Sequence, residues 1–134
     1  LKMTKKIPIS FDFDGCLERS HVQDFVSVLR KSAMFDIWIV TSRFTEEEFE
    51  KKYFTKDSNK DVFEVARKLD IPLKRIHFTN HEWKYKFVDS MKFLWHLDDS
   101  IIELDFINRM TLTKGISCLK NTYIRKCFKL WKEA

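Results

Sequence analysis

Apolar residues follow two alternating spacings along this chain, one typical of buried strands and one typical of amphipathic helices. Short continuous apolar runs rich in β-forming residues predict strands. They lie at 7–12, 37–40, 75–79, 93–97 and 115–119, and the last run is the weakest. Between these runs the apolar residues recur every three or four positions, as they do on one face of a helix. The chain therefore alternates between predicted strands and predicted helices.

The predicted helices differ in how clearly their ends are marked. Thr45 and Glu48 have the spacing of a capping box, which predicts that a helix starts there. Polar residues 57–59 interrupt that helix, and Pro72 ends the next one, since proline disfavours helix in the residue before it. The other helices are predicted at about 22–33, 83–93, 101–108 and 120–132.

This alternation predicts an α/β fold, a three-layer sandwich in which helices cover both faces of a mostly parallel five-stranded sheet. At 134 residues the chain is expected to form a single domain over residues 1–134. Only two glycines and two prolines occur, which argues against disorder and against a loop-rich all-β fold.

Three cysteines without metal-ligand spacing indicate reduced thiols, and no apolar run reaches the roughly 20 residues of a membrane span. No apolar run at the start resembles a signal peptide, so we expect a cytoplasmic protein that does not contact a membrane.

The net charge of +5 is concentrated at the C-terminal end, because residues 109–134 carry seven Lys or Arg and one Glu. This segment could bind a nucleic acid or simply form a solvated helix face. The basic residues expected to face water are Lys120, Arg125, Lys126, Lys129 and Lys132.

Polar residues suited to chemistry follow the predicted strands at the point where each strand ends. In a parallel sheet these ends meet at one edge, where ligands bind. Clustered carboxylates repel one another, and a hard cation such as Mg²⁺ relieves that repulsion. Between strands three and four lie two lysines that could hold a phosphate, Lys84 and Lys86. The strand-end residues are Asp12 and Asp14, then Thr41 and Ser42, then Asp98 and Asp99.

Such a set can catalyse phosphoryl transfer. A metal-held carboxylate can attack phosphorus to form an aspartyl-phosphate, and a second carboxylate two residues later can protonate the leaving oxygen and then activate water. A hydroxyl and an ammonium would hold the phosphoryl oxygens, which fits Thr41 and one of the two lysines.

Four segments resemble the motifs of the haloacid dehalogenase (HAD) superfamily, in the right order. The first is Asp-Phe-Asp-Gly-Cys-Leu at 12–17, and the second is the apolar strand that ends at Thr41. The third is Lys84, fourteen residues before Asp98, and the fourth is His-Leu-Asp-Asp-Ser at 96–100. Cys16 departs from the pattern, because Thr or Val is commoner at that position.

The resemblance implies a Rossmann-like core, Mg²⁺ and an aspartyl-phosphate intermediate. By position, Asp12 would be nucleophile and metal ligand, and Asp14 would be the acid/base and bind metal through its backbone carbonyl. Asp99, together with Asp98, would complete the metal site. Only 26 residues separate Asp14 from Thr41, which leaves little room for a cap domain.

The resulting hypothesis is a phosphomonoesterase acting on nucleotides, polynucleotide ends or other phosphomonoesters. One alternative is a non-catalytic module that binds phosphate or nucleic acid on the same fold, and another is a receiver-like domain that stores phosphate on an Asp. Arg43 is expected to be a surface residue that lies close enough to touch substrate. His77, His81 and His96 are expected to be strand-end or surface histidines without a catalytic role.

Overall fold

The fold alternates strands and helices in a computed structural model that describes residues 5–134. Short helical turns at Phe13–Leu17 and Leu73–Arg75 precede α1 and β3. The elements are β1 Ile7–Phe11, α1 Ser20–Lys31, β2 Phe35–Thr41, α2 Glu46–Tyr53, α3 Lys60–Lys68, β3 Ile76–Phe78, α4 Tyr85–Met91, β4 Trp95–Asp98, α5 Ile101–Met110, β5 Lys114–Ser117 and α6 Tyr123–Glu133.

The strands form one five-stranded sheet in the order β3-β2-β1-β4-β5, and every neighbouring pair is parallel. This confirms the predicted α/β sandwich, with a sheet that is parallel throughout rather than mostly so. β1 is the central strand, paired with β2 on one side and with β4 on the other. The strand order therefore reverses next to β1, which is where ligands bind in open α/β sheets.

Helices cover both faces of the sheet and bury two apolar clusters. Ile39 belongs to the larger cluster and Val40 to the smaller one, because successive side chains of a strand point to opposite faces. The larger cluster includes residues of α1, α3 and α6, and the smaller one includes Val88 of α4 and Ile107 of α5.

Phe25 of α1 lies at the centre of the larger cluster. Its ring centroid is 6.3 Å from that of Phe11, 6.4 Å from Trp95, 5.6 Å from Tyr123 and 5.8 Å from Phe128. The last two belong to α6, so the predicted apolar stripe of this helix is core. α6 is thereby fixed against α1 and the sheet.

Two helices begin later than predicted, each after a turn. α4 begins at Tyr85, two residues later than expected, because the preceding turn places Asn80 and His81 at positive φ. Thr45 caps α2 by accepting a hydrogen bond from the Glu48 amide at 3.2 Å, as predicted. Its own amide donates to Asn80 Oδ1 at 2.9 Å, so this cap also anchors the turn before α4.

α6 also starts later than expected, at Tyr123, after a turn over residues 119–122. Within residues 5–134, no helix has both the length and the apolar character that crossing a bilayer requires.

We expect Phe25→Ala to lower the free energy of unfolding by about 3–5 kcal/mol, because it leaves a cavity among four aromatic rings. Urea unfolding measures the change. Leu112→Ala is the matched control, since Leu112 is 93% exposed. Equal midpoints for the two variants would contradict the central packing role of Phe25.

Candidate functional site

Three carboxylates converge where β1 and β4 end. Parallel pairing of Phe11 with Leu97 places Asp12 beside Asp98, and the Asp12 amide donates to the Leu97 carbonyl at 2.8 Å. One carboxylate oxygen from each of Asp12, Asp98 and Asp99 lies within 4.8 Å of the others. We call these three residues the carboxylate cluster.

Lys84 bridges two members of the carboxylate cluster. Its Nζ donates to Asp12 Oδ1 and to Asp98 Oδ2, both at 2.7 Å, and the residue is only 2% exposed. Burial opposes its charge, but the two carboxylates prevail and raise the pKa of Lys84. Its backbone amide donates to Glu103 Oε1 at 3.2 Å. Lys86 is exposed on α4, so of the two candidate lysines only Lys84 contacts the carboxylate cluster.

A buried histidine orients Asp98. His96 Nε2 lies 2.7 Å from Asp98 Oδ2, and Ser10 Oγ lies 2.8 Å from His96 Nδ1. Burial lowers the pKa of His96, so the ring is neutral near pH 7, donating to Asp98 and accepting from Ser10. Against the effect of burial, His96 and Lys84 hold the pKa of Asp98 well below its usual range.

His96 lies near the end of β4, as expected, but the expectation of a surface histidine is wrong. It is fully buried between the buried residues Trp95 and Leu97. A buried polar side chain needs a hydrogen-bond partner. The position of His96 inside an apolar run is the sequence feature that indicates such a buried, hydrogen-bonded side chain.

Burial works against the negative charge of Asp12, which Lys84 balances. Burial raises the pKa of Asp12 to about 9, against the charge of Lys84 and with help from Asp98 and Asp99. A protonated carboxyl is a poor nucleophile and a poor ligand. A divalent cation between the three carboxylates would favour the ionised form. The donor set contains only oxygens, so the cluster fits Mg²⁺ better than a thiophilic metal.

Gly15 allows the loop after β1 to pass next to Asp99. Its φ is +72°, and a Cβ at this position would overlap the Asp99 carboxylate. The Gly15 amide donates to Glu18 Oε1 at 2.5 Å, and its carbonyl accepts from Arg19 Nε at 2.7 Å. The loop is thus fixed by its own side chains, and a larger residue at 15 would displace a member of the cluster.

Asp14 does not join the carboxylate cluster. Its two carboxylate oxygens accept from Arg43, at 2.7 Å from Nη2 and at 3.0 Å from Nε. The same guanidinium donates to both oxygens of Asp61 at 2.7 and 2.8 Å and lies 5.1 Å from the Phe13 ring centroid. The Arg43 side chain is 24% exposed, so it remains at the surface as expected but is partly buried by its two carboxylate partners.

Thr41 and Ser42 lie at the same edge, after β2. Thr41 is fully buried, and its Oγ1 accepts from the Arg43 amide at 3.3 Å. The Ser42 carbonyl accepts from the His81 amide at 2.8 Å, which ties this loop to the turn before α4. Neither hydroxyl makes a hydrogen bond to the carboxylate cluster, and their phosphate-binding role stays a prediction.

Comparison with protein-family models finds no match to this chain, and comparison with curated proteins finds none either. The resemblance to the HAD superfamily therefore rests on the four motifs and on where the fold places them.

We expect Lys84→Met to lower the free energy of unfolding by about 3–5 kcal/mol when measured in EDTA, because it leaves buried carboxylates without their counter-charge. Lys86→Met is the matched control two residues away and should change stability by less than about 0.5 kcal/mol. Urea unfolding of both variants gives the comparison. A stable Lys84→Met protein would show that this ion pair is not needed for folding.

Proposed function

We propose that this protein is a Mg²⁺-dependent phosphomonoesterase of the HAD type that works through an aspartyl-phosphate on Asp12. One observation carries the proposal: Asp12 is buried at the strand-end edge, paired with Lys84, and within 4.8 Å of Asp98 and Asp99. A nucleophilic carboxylate, an ammonium and two further carboxylates are the groups that metal-assisted phosphoryl transfer requires.

In the first step, a carboxylate oxygen of Asp12 attacks phosphorus while the ester bond to the leaving alcohol breaks. Lys84, which holds Asp12 Oδ1, fixes the carboxylate and balances charge on the phosphoryl oxygens. Asp14 gives its proton to the leaving oxygen. In the second step Asp14 takes a proton from water, the water oxygen attacks phosphorus, and cleavage of the bond to Asp12 releases inorganic phosphate.

The cation site would consist of Asp12, Asp98 and Asp99, with His96 and Ser100 orienting Asp98 from behind. Mg²⁺ bound there would supply positive charge to the phosphoryl oxygens and to the Asp12 carboxylate. Asp14 would contribute through its backbone carbonyl, in keeping with the resemblance.

Asp14 must leave Arg43 before it can donate a proton. In the structure both of its carboxylate oxygens accept hydrogen bonds from that guanidinium. Rotation of the Asp14 side chain toward the leaving oxygen would free it, and Arg43 would keep its bonds to Asp61. A non-catalytic binding module has no need of this second carboxylate, which favours the enzyme.

The free cysteines support a cytoplasmic setting for this activity. Cys16, Cys118 and Cys127 are all buried and unpaired. A reducing compartment keeps such thiols free.

Hydrolysis of an aryl phosphate should require Mg²⁺ and stop in excess EDTA, because the carboxylate cluster and a phosphate repel one another without a cation. A phosphate-release assay with and without chelator measures this. Gly15→Ala should weaken Mg²⁺ activation by displacing Asp99, and undiminished turnover in EDTA would refute the metal assignment.

Asp12→Asn should abolish turnover, since an amide cannot form the acyl-phosphate, and Asp14→Asn should slow it by about 10²–10⁴-fold. Asp89→Asn, which alters an exposed Asp on α4, is the control and should retain wild-type kcat. Near-normal kcat in Asp12→Asn would place the nucleophile elsewhere.

A polynucleotide substrate is the second candidate, and the basic residues of α6 favour it because all are exposed as predicted. α6 begins beside α1, where Tyr123 Oη lies 2.9 Å from His21 Nδ1. It ends beside Phe35, the first residue of β2, where Trp131 packs at the edge of the sheet opposite Asp12. Its later basic residues therefore lie away from Asp12.

If nucleic acid lies along α6, affinity for an oligonucleotide falls with salt by a log–log slope of about −0.7 per phosphate contact. Replacing Lys126 and Lys129 with Gln should then flatten the slope by about one to two units and leave turnover of an aryl phosphate unchanged. Binding at roughly 50 to 200 mM salt measures the slope. Identical curves for both proteins would remove α6 from substrate binding.

A further inference from the structure

A cleft of about 670 Å³ opens between α2 and α3, next to Arg43. We call it the α2–α3 cleft. Arg43 contributes both to its lining and to the contact with Asp14, so the cleft lies on the acid/base side of the candidate site. A leaving group seated there would lie beside the Arg43 side chain that holds Asp14. Its other lining residues include Phe44, Phe49, Tyr53, Asn59 and His81.

Aromatic rings form one wall of the α2–α3 cleft. The Phe44 and His81 ring centroids are 4.3 Å apart, and those of Phe49 and Tyr53 are 4.7 Å apart. Tyr53 is 46% exposed at the end of α2, so part of its ring is open to a ligand. Aromatic side chains at this density provide stacking surfaces for a flat ring.

The charges in the α2–α3 cleft argue against a polyanion. Arg43 and Lys60 are outnumbered by three acidic residues, and Arg43 is already paired with one of them. A polynucleotide backbone would meet repulsion here, whereas an uncharged ring system would not. Hydrogen-bonding groups remain for a sugar or a base. The three acidic residues are Asp57, Asp61 and Glu64.

We propose that the α2–α3 cleft binds the nucleoside part of a nucleoside monophosphate, with the base stacked on the aromatic wall and the phosphate directed to Asp12. As a substrate site it rests on the proposed phosphomonoesterase activity. The cleft then selects the leaving group, and the carboxylate cluster acts on the phosphate common to all substrates. A polynucleotide end is disfavoured because its phosphate backbone would be repelled by the three acidic residues of the cleft.

The test compares kcat/KM for adenosine, guanosine, cytidine and uridine monophosphates with kcat/KM for ribose 5-phosphate, which lacks a base. We expect at least one nucleotide to exceed ribose 5-phosphate by about tenfold or more, the usual contribution of one stacked base. Tyr53→Ala should reduce the preference for the nucleotide over ribose 5-phosphate by about tenfold, by raising the KM of the nucleotide. Tyr53→Phe keeps the ring and should retain the preference.

Phe54→Ala is the matched control, because Phe54 is the next residue, also aromatic, 91% exposed and not part of the cleft lining. It should leave all rates at wild-type values. Equal kcat/KM for nucleotides and ribose 5-phosphate would overturn the cleft assignment and leave the phosphatase intact. Preference for a 3′- or 5′-phosphorylated oligonucleotide over every mononucleotide would overturn it too.

Calorimetric titration with the four unphosphorylated nucleosides separates this inference from the proposed activity. Binding that Tyr53→Ala weakens, in a protein that hydrolyses no phosphate ester, would support the cleft and refute the phosphatase. Hydrolysis of ribose 5-phosphate without binding of any nucleoside would support the phosphatase and refute the nucleoside site in the α2–α3 cleft.

Discussion

A buried ammonium between two buried carboxylates is the interaction on which the edge of the sheet depends. Lys84 Nζ cannot be left unpaired at 2% exposure, so β1 must present Asp12 and β4 must present Asp98 within hydrogen-bond reach of it. This pairing ties the ends of β1 and β4 to the residue that precedes α4. The hydrogen bonds that Lys84 Nζ donates to both carboxylates offset the cost of removing its charge from water.

The chain's periodicity was sufficient to predict the α/β sandwich, since strands buried on both faces and amphipathic helices have distinct spacings. The same pattern predicted that four strand-end carboxylates would meet at one edge of the sheet. Asp12, Asp98 and Asp99 do so, whereas Asp14 pairs with Arg43 instead.

Other features of the site depend on geometry that spacing does not encode. Which of Lys84 and Lys86 contacts the carboxylate cluster depends on where α4 starts. The turn before α4 contains two non-glycine residues at positive φ. Arg43 gains its second partner from Asp61, eighteen residues away on α3. Local patterns give no information about such pairs, because they arise only when separate helices pack.

Arg43 lies between two parts of the molecule that come from different segments of the chain. The carboxylate cluster comes from β1 and β4 in the middle of the sheet, whereas the aromatic wall comes mainly from α2 and the turns beside it. α2 buries none of its residues, so this helix could be exchanged for another while the sheet and its buried lysine persist. Evolution or design can then alter what the protein selects without rebuilding the machinery that acts on it.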